Sequence, residues 1–411
     1  MASVEELVSR IVHKKDEQAA KEVYMMASDS GMKLASSQNL YEARARGEWS
    51  GFTVPAFNIR TLVFDAARAV FRQAVKNEAG AFIFELARSE SEYTFQSMSE
   101  YVPMILAAGL KEGYKGGVFF QGDHYQVKEK KFFDPSAKED EISSLKFLLK
   151  EAIGSGVYNI DIDASTLVRA HEKDLKFQQK HNCEATALLT SFARSLEPGG
   201  ITVSLGGEVG EIGRENSTIE DVRTFAEGYK EELSKYGEMK GLIKLAVQTG
   251  ASHGGIMGPG GEMIEPDIDF ALLKELSSEA RKHGMAGVVQ HGASTLPEEC
   301  FDKFPEAETL EIHLATAFQN IVLDSEYFPE DLKERMQVWI CEHCEKKENQ
   351  TEEQFLYENR KKALGPFKKE IMEISEEKRG RISQELEEKF GFLFLKLGIF
   401  GTKETVNKIY K

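Results

Sequence analysis

The sequence predicts a (β/α)8 barrel, and three observations carry that expectation. Eight short apolar runs alternate with helical patterns between about residue 50 and residue 325, which fits the roughly 250 residues of such a barrel. Asn58, Asp123, His124, Asp163, Glu208, His253, His291 and His313 fall at or near the C-terminal ends of those runs. That face carries the active site of a barrel, whereas a doubly wound open sheet would gather its polar groups at one switch point. Finally, three of the 9 histidines, His124, His253 and His291, hold matching places just past a run.

The elements follow in order. Residues 1–48 read as a helical segment, with Ala19, Ala20, Val23, Met25 and Met26 spaced as an apolar face that caps the bottom or edge of the barrel. Residues 49–325 form the barrel, with strands expected at 53–57, 81–86, 117–120, 157–162, 201–205, 242–247, 287–290 and 310–314. Residues 326–411 are rich in Glu and Lys with helical periodicity and read as an extension whose apolar stripe packs on the barrel or on a second subunit.

Composition narrows the function classes. A formal charge of −16 argues against nucleic acid, whose binders are basic along one face, but leaves room for an acidic small substrate in a locally positive pocket. No apolar stretch approaches the roughly 20 residues of a membrane span. The first residues are acidic and helical in pattern rather than those of a signal peptide, and 4 cysteines suggest no disulfide framework. A cytoplasmic enzyme is expected, with no membrane partner.

Neutral imidazole is the commonest protein ligand for zinc, and a catalytic zinc takes three protein ligands with one open position. Parallel strands side by side would bring His124, His253 and His291 to one point, so a metal-dependent enzyme is the leading reading. Asp161 and Asp163 suit acids that orient a ligand's other nitrogen.

Several motifs in order resemble the class II, zinc-dependent fructose-bisphosphate aldolase family, which includes tagatose-bisphosphate aldolases. They are Val54-Pro55-Ala56-Phe57-Asn58, Gln121-Gly122-Asp123-His124, Tyr158 to Ser165, Glu208-Val209-Gly210, Gly213-Arg214-Glu215-Asn216, Ser252-His253-Gly254, His291-Gly292-Ala293-Ser294 and Ala315-Thr316. The resemblance spans about residues 50–325. It implies a divalent ion, zinc or another, on His124, His253 and His291 with Glu208 as an alternate or nearby ligand, and it admits a monovalent cation. By the same resemblance Asp123 moves the hydroxyl proton of an aldol step and Glu215 the proton on the enediolate carbon. Asn58, Gly254, Gly292, Ala293, Ser294, His313 and Thr316 would meet the substrate, a small sugar phosphate, in a homo-oligomer of carbohydrate metabolism.

The departures bear on the substrate. His313 stands where the family has an asparagine, Met257 lies near its usual phosphate-binding lysine, and Ala87 replaces a serine beside the unusual cluster Glu85, Arg88 and Glu90. The expected reaction is therefore reversible aldol cleavage of a ketose phosphate. Alternatives are a metal-dependent sugar isomerase or epimerase, or a non-catalytic aldolase-like subunit. Lys244 inside the sixth strand offers a Schiff-base route instead, although the histidines would then have no purpose. Cys341-Glu342-His343-Cys344 is half a zinc site with no second pair nearby, and Gly258-Pro259-Gly260-Gly261 is more simply a loop than a phosphate cradle.

Overall fold

The computed structural model describes residues 2–210, 215–250, 256–257, 263–264 and 267–410. Eight parallel strands close on themselves: Val54–Asn58, Ile83–Ala87, Gly116–Gln126, Asn159–Asp163, Ser204–Glu208, Lys244–Val247, Gly287–Gln290 and Glu311–Leu314. The eighth pairs back onto the first through Glu311 to Leu314 against Val54 to Phe57, so no edge is left open. Helices lie between the strands, which confirms the expected barrel. A ninth strand, Met32–Ala35, joins from outside by pairing parallel with Gly116 to Phe119.

Strand five begins three residues later than expected. Its apolar lead, Ile201 and Thr202, stays partly exposed after the Gly199-Gly200 turn, and pairing starts at Ser204. Two glycines, Gly206 and Gly207, sit inside the strand. A Cβ on Gly206 would lie 2.2 Å from Asp161 Oδ1 and 3.0 Å from Lys244 Cε, so the missing side chain makes room for buried charges in the barrel.

Strand three runs on past its expected end, through a register shift between Gly122 and Tyr125. His124 takes φ 41° at this bulge, a left-handed conformation that costs a β-carbon-bearing residue energy. Bulges re-aim side chains next to functional sites, and this one turns His124 at the barrel mouth.

Helices Val4–Lys14 and Glu17–Ser30 are capped by Ser3 and Asp16 and pack on the outer wall. The long helix Glu376–Lys396 lies on Val63–Lys76 and Thr316–Asp324, where Phe390 and Phe394 meet Phe57 of the first strand at centroid distances of 5.0 and 5.8 Å. Beyond it, Thr53 N donates to Leu397 O, and the Thr402 hydroxyl accepts from the amides of Gly80 and Ala81. The C-terminal residues thus pack on the barrel itself and tie down the starts of its first two strands. No helix among the described residues is long and apolar enough to cross a membrane.

Candidate metal centre and active site

At the C-terminal mouth of the barrel, the ends of strands one, two, three, seven and eight open on a cavity of about 480 Å³. Such a volume suits a small ligand. Asn58, Asp123, His124, His291, Gly292, Ser294, His313 and Thr316 all line it, so most of the expected site residues do come together.

His124 and His291 have ring centroids 4.3 Å apart. Glu208, at the end of strand five, places Oε1 2.6 Å from His124 Nδ1 and 4.0 Å from His291 Nε2. One donor atom from each of the three lies within 4.8 Å of the others, and two imidazoles with a carboxylate form a donor set suited to zinc. Asp163 Oδ2 stands 3.1 Å from His124 Nδ1 and is held by Gln126, while Ser165 holds its other oxygen. A carboxylate so placed fixes the orientation of the imidazole beside it. His253 and Gly254 lie outside the described residues, as do Gly213 and Arg214.

Electrostatics agree with a cation site. Burial would push the His124 imidazole down, but Asp123 and Glu208 with the Asp163 hydrogen bond drive it well above its ordinary value. Burial, then repulsion from Asp163, pushes Glu208 up to about 8. The protons so held on His124 and Glu208 are those a divalent ion would displace on binding.

Asp123 Oδ1 is 3.8 Å from His124 Nε2, 3.9 Å from His291 Nδ1 and 3.1 Å from His313 Nδ1. Asn58 donates to Glu90, which also binds Arg60 at 2.6 Å and accepts from the Ala87 amide. Gly292 takes φ 72° and opens the turn Ala293–Thr295; Ala293 is buried, and the Ser294 hydroxyl accepts from Ala315 N at 2.6 Å. Gln290 fixes that turn by donating to His291 O and accepting from Thr249. Glu215 is exposed after strand five and is absent from the cavity wall.

Sequence reasoning missed two sets of residues. Tyr357, Glu358 and Lys361 of the C-terminal extension line the cavity, a tertiary contact that no local pattern announces. Beneath the mouth lies a buried ionic layer in which Lys244 Nζ binds Gln121 (2.6 Å), Asp161 (3.0 Å) and Glu311 (2.5 Å), and Tyr41 donates to Glu311. Burial would lower the Lys244 ammonium, but Asp161 and Glu311 outweigh it and hold it above the ordinary value. A lysine so protonated and absent from the cavity wall is unsuited to Schiff-base chemistry. Cys341, His343 and Cys344 join none of the metal-competent groups among the described residues.

Comparison with known proteins agrees. A family model described as fructose-bisphosphate aldolase class-II matches residues 38–382, further into both ends than the motifs reach. No curated protein matches the chain. The solved YdjI aldolase of Escherichia coli K12 is 15% identical with a TM-score of 0.50, covering 90% of this chain and 99% of its own. A probable tagatose 6 phosphate kinase from Sinorhizobium meliloti 1021 is 15% identical with a TM-score of 0.58 and covers 87% and 99%. The glycerol-bound fructuronate-tagaturonate epimerase UxaE of Cohnella laeviribosi is 13% identical with a TM-score of 0.56 and covers 85% and 82%. At these identities the likeness is one of fold.

Proposed function

Because the chain belongs to the class II fructose-bisphosphate aldolase family, we propose that it is a divalent-metal lyase that reversibly cleaves a ketose phosphate. The observation that carries this is the convergence of His124, Glu208 and His291 beside Asp123. These residues, with His253, would hold the ion, which supplies Lewis-acid polarisation of the carbonyl next to the bond that breaks. Asp123 takes the proton from the hydroxyl oxygen on cleavage and returns it on condensation. Asp163 orients His124. Asn58, Ser294 and Thr316, with the Gly292–Ala293 turn, position the sugar and its phosphate. Gly254, outside the described residues, is assigned to the phosphate cradle by the family resemblance, and His313 lines the same wall. Glu215 is assigned the role of base on the carbon from the family resemblance alone. The protein is taken to act in the cytoplasm as a homo-oligomer.

The test is turnover of ketose phosphates by protein loaded with zinc or another divalent ion, with and without a chelator. Triose products that vanish on chelation support the reading, and full turnover in metal-free protein rejects it. A second reading, a sugar isomerase or epimerase, is favoured by one observation. Arg60 is paired with Glu90 and Arg88 with Glu141 at 2.6 Å, which leaves fewer cations for a second phosphate. Product analysis by NMR separates the two, since only bond cleavage yields trioses.

A further inference from the structure

We propose that His313 is a positioning residue that tethers Asp123 and keeps this carboxylate a proton carrier instead of an additional metal ligand. The inference rests on the aldol reading for its kinetic consequence, but its structural part stands on the metal donor set alone.

The geometry is a chain of contacts through the barrel interior. His313 is buried, and both ring nitrogens are engaged: Nδ1 lies 3.1 Å from Asp123 Oδ1 and 3.2 Å from Glu85 Oε2, and Nε2 lies 2.7 Å from Glu311 Oε1. An imidazole held on both sides cannot turn to a sugar, as the asparagine expected at this position would. Glu311 is pinned in turn by Lys244, Gln121 and Tyr41, and Lys244 by Asp161. The backbone is shaped around this layer, since Gly206 leaves the space that Asp161 and Lys244 fill. Removing one member of a buried ionic network leaves its partners desolvated and uncompensated, so the contacts of Lys244, Gln121 and Tyr41 with Glu311 make it a firm support for His313.

Asp123 needs such a support. Its backbone ends where the bulge begins, and its carboxylate reaches within 4 Å of both His124 and His291. Asp123, His291 and His313 together also satisfy the spacing of a metal-binding group. A free carboxylate at this spot would be drawn onto a divalent ion and would lose the capacity to exchange a proton with substrate. The hydrogen bond from His313, backed by Glu311 and Lys244, holds it off.

The test uses the full chain loaded with cobalt(II), comparing His313→Leu and Glu311→Gln with the unaltered protein. Glu311 does not line the cavity, so its variant reports on the support alone. The tether predicts that His313→Leu changes the visible cobalt spectrum as a carboxylate joins the ion, and that the ion is held more tightly. It also predicts kcat lower by roughly 100-fold with KM within about twofold, the scale of a lost positioned proton transfer. Glu311→Gln shifts each readout the same way by less, and His313→Gln, which keeps one donor, restores part of kcat. An unchanged spectrum and kcat overturns the tether. A raised KM at constant kcat makes His313 a substrate contact, and loss of the ion makes it a ligand; either also overturns it. Should the unaltered protein turn over no ketose phosphate, the aldol reading fails while the cobalt spectra still decide the tether.

Discussion

Lys244→Met tests the buried ionic layer most severely. The substitution conserves most of the side chain's bulk but removes the only ammonium among the described residues that touches Asp161 and Glu311 in the barrel interior. Breaking a buried pair by deleting one partner costs about 3–5 kcal/mol, because the remaining charge stays desolvated. Two carboxylates lose their partner here, so the upper part of that range is expected. The cost must also depend on pH. With Lys244 present, burial would raise Glu311, yet Lys244 and His313 hold it far below the ordinary carboxylate value. A depressed carboxyl contributes stability that is present above its unfolded pKa of roughly 4.3 and is lost as pH falls through the folded value. Burial already holds Asp161 above its ordinary value, and without the ammonium it rises further while Glu311 loses the largest influence that lowers it, so the variant loses stability as pH increases through and beyond that range. Urea unfolding at pH 5 and pH 8 should therefore show a larger deficit at pH 8. The triple variant that adds Asp161→Asn and Glu311→Gln should recover most of it. A deficit under about 1 kcal/mol, or one of equal size at both pH values, would refute the reasoning.

Gly206→Ala should destabilise by about 1–3 kcal/mol through overpacking, since its Cβ would fall 2.2 Å from Asp161 Oδ1; guanidinium denaturation reads this, and a neutral outcome contradicts the packing. Thr402→Val leaves the amides of Gly80 and Ala81 without their acceptor and should cost about 1–3 kcal/mol, measured as a lowered unfolding midpoint. Metal affinity should weaken as pH falls, because the ion must displace protons from His124, raised well above its ordinary value, and from Glu208, raised to about 8. Competition titrations at pH 6 and pH 8 that give equal affinities would contradict this.

The barrel was legible because its strands are short, apolar and regularly spaced, and because polar groups crowd one end of each. Strand five was misplaced by three residues, since Gly206 and Gly207 lie inside it, Gly206 making room for Asp161 and Lys244 and Gly207 packing against Leu242 and Phe225. His124 and His291 were picked out from type and position, and Asp123 and Glu208 with the help of the family resemblance; the structure brings all four together, with Asp163 beside His124. The surroundings of His313 were only partly legible: Glu311 precedes it by two residues on the same strand, but Glu85 and Asp123 come from the second and third strands, and only barrel closure brings those two to it. Lys244 misled for the same reason, because a lysine in a strand shows its charge but not its two carboxylate neighbours. The cavity residues Tyr357, Glu358 and Lys361 sit about 40 residues beyond the last barrel strand, where periodicity reports only an amphipathic helix.

X-ray absorption on the zinc-loaded full chain, read beside the same spectrum of His124→Ala, tests the central claim most directly. One ion per chain with at least two imidazole ligands, lost or reduced to one imidazole in the variant, is the predicted result. Zinc that binds with no imidazole scattering, or an identical spectrum from His124→Ala, would contradict it.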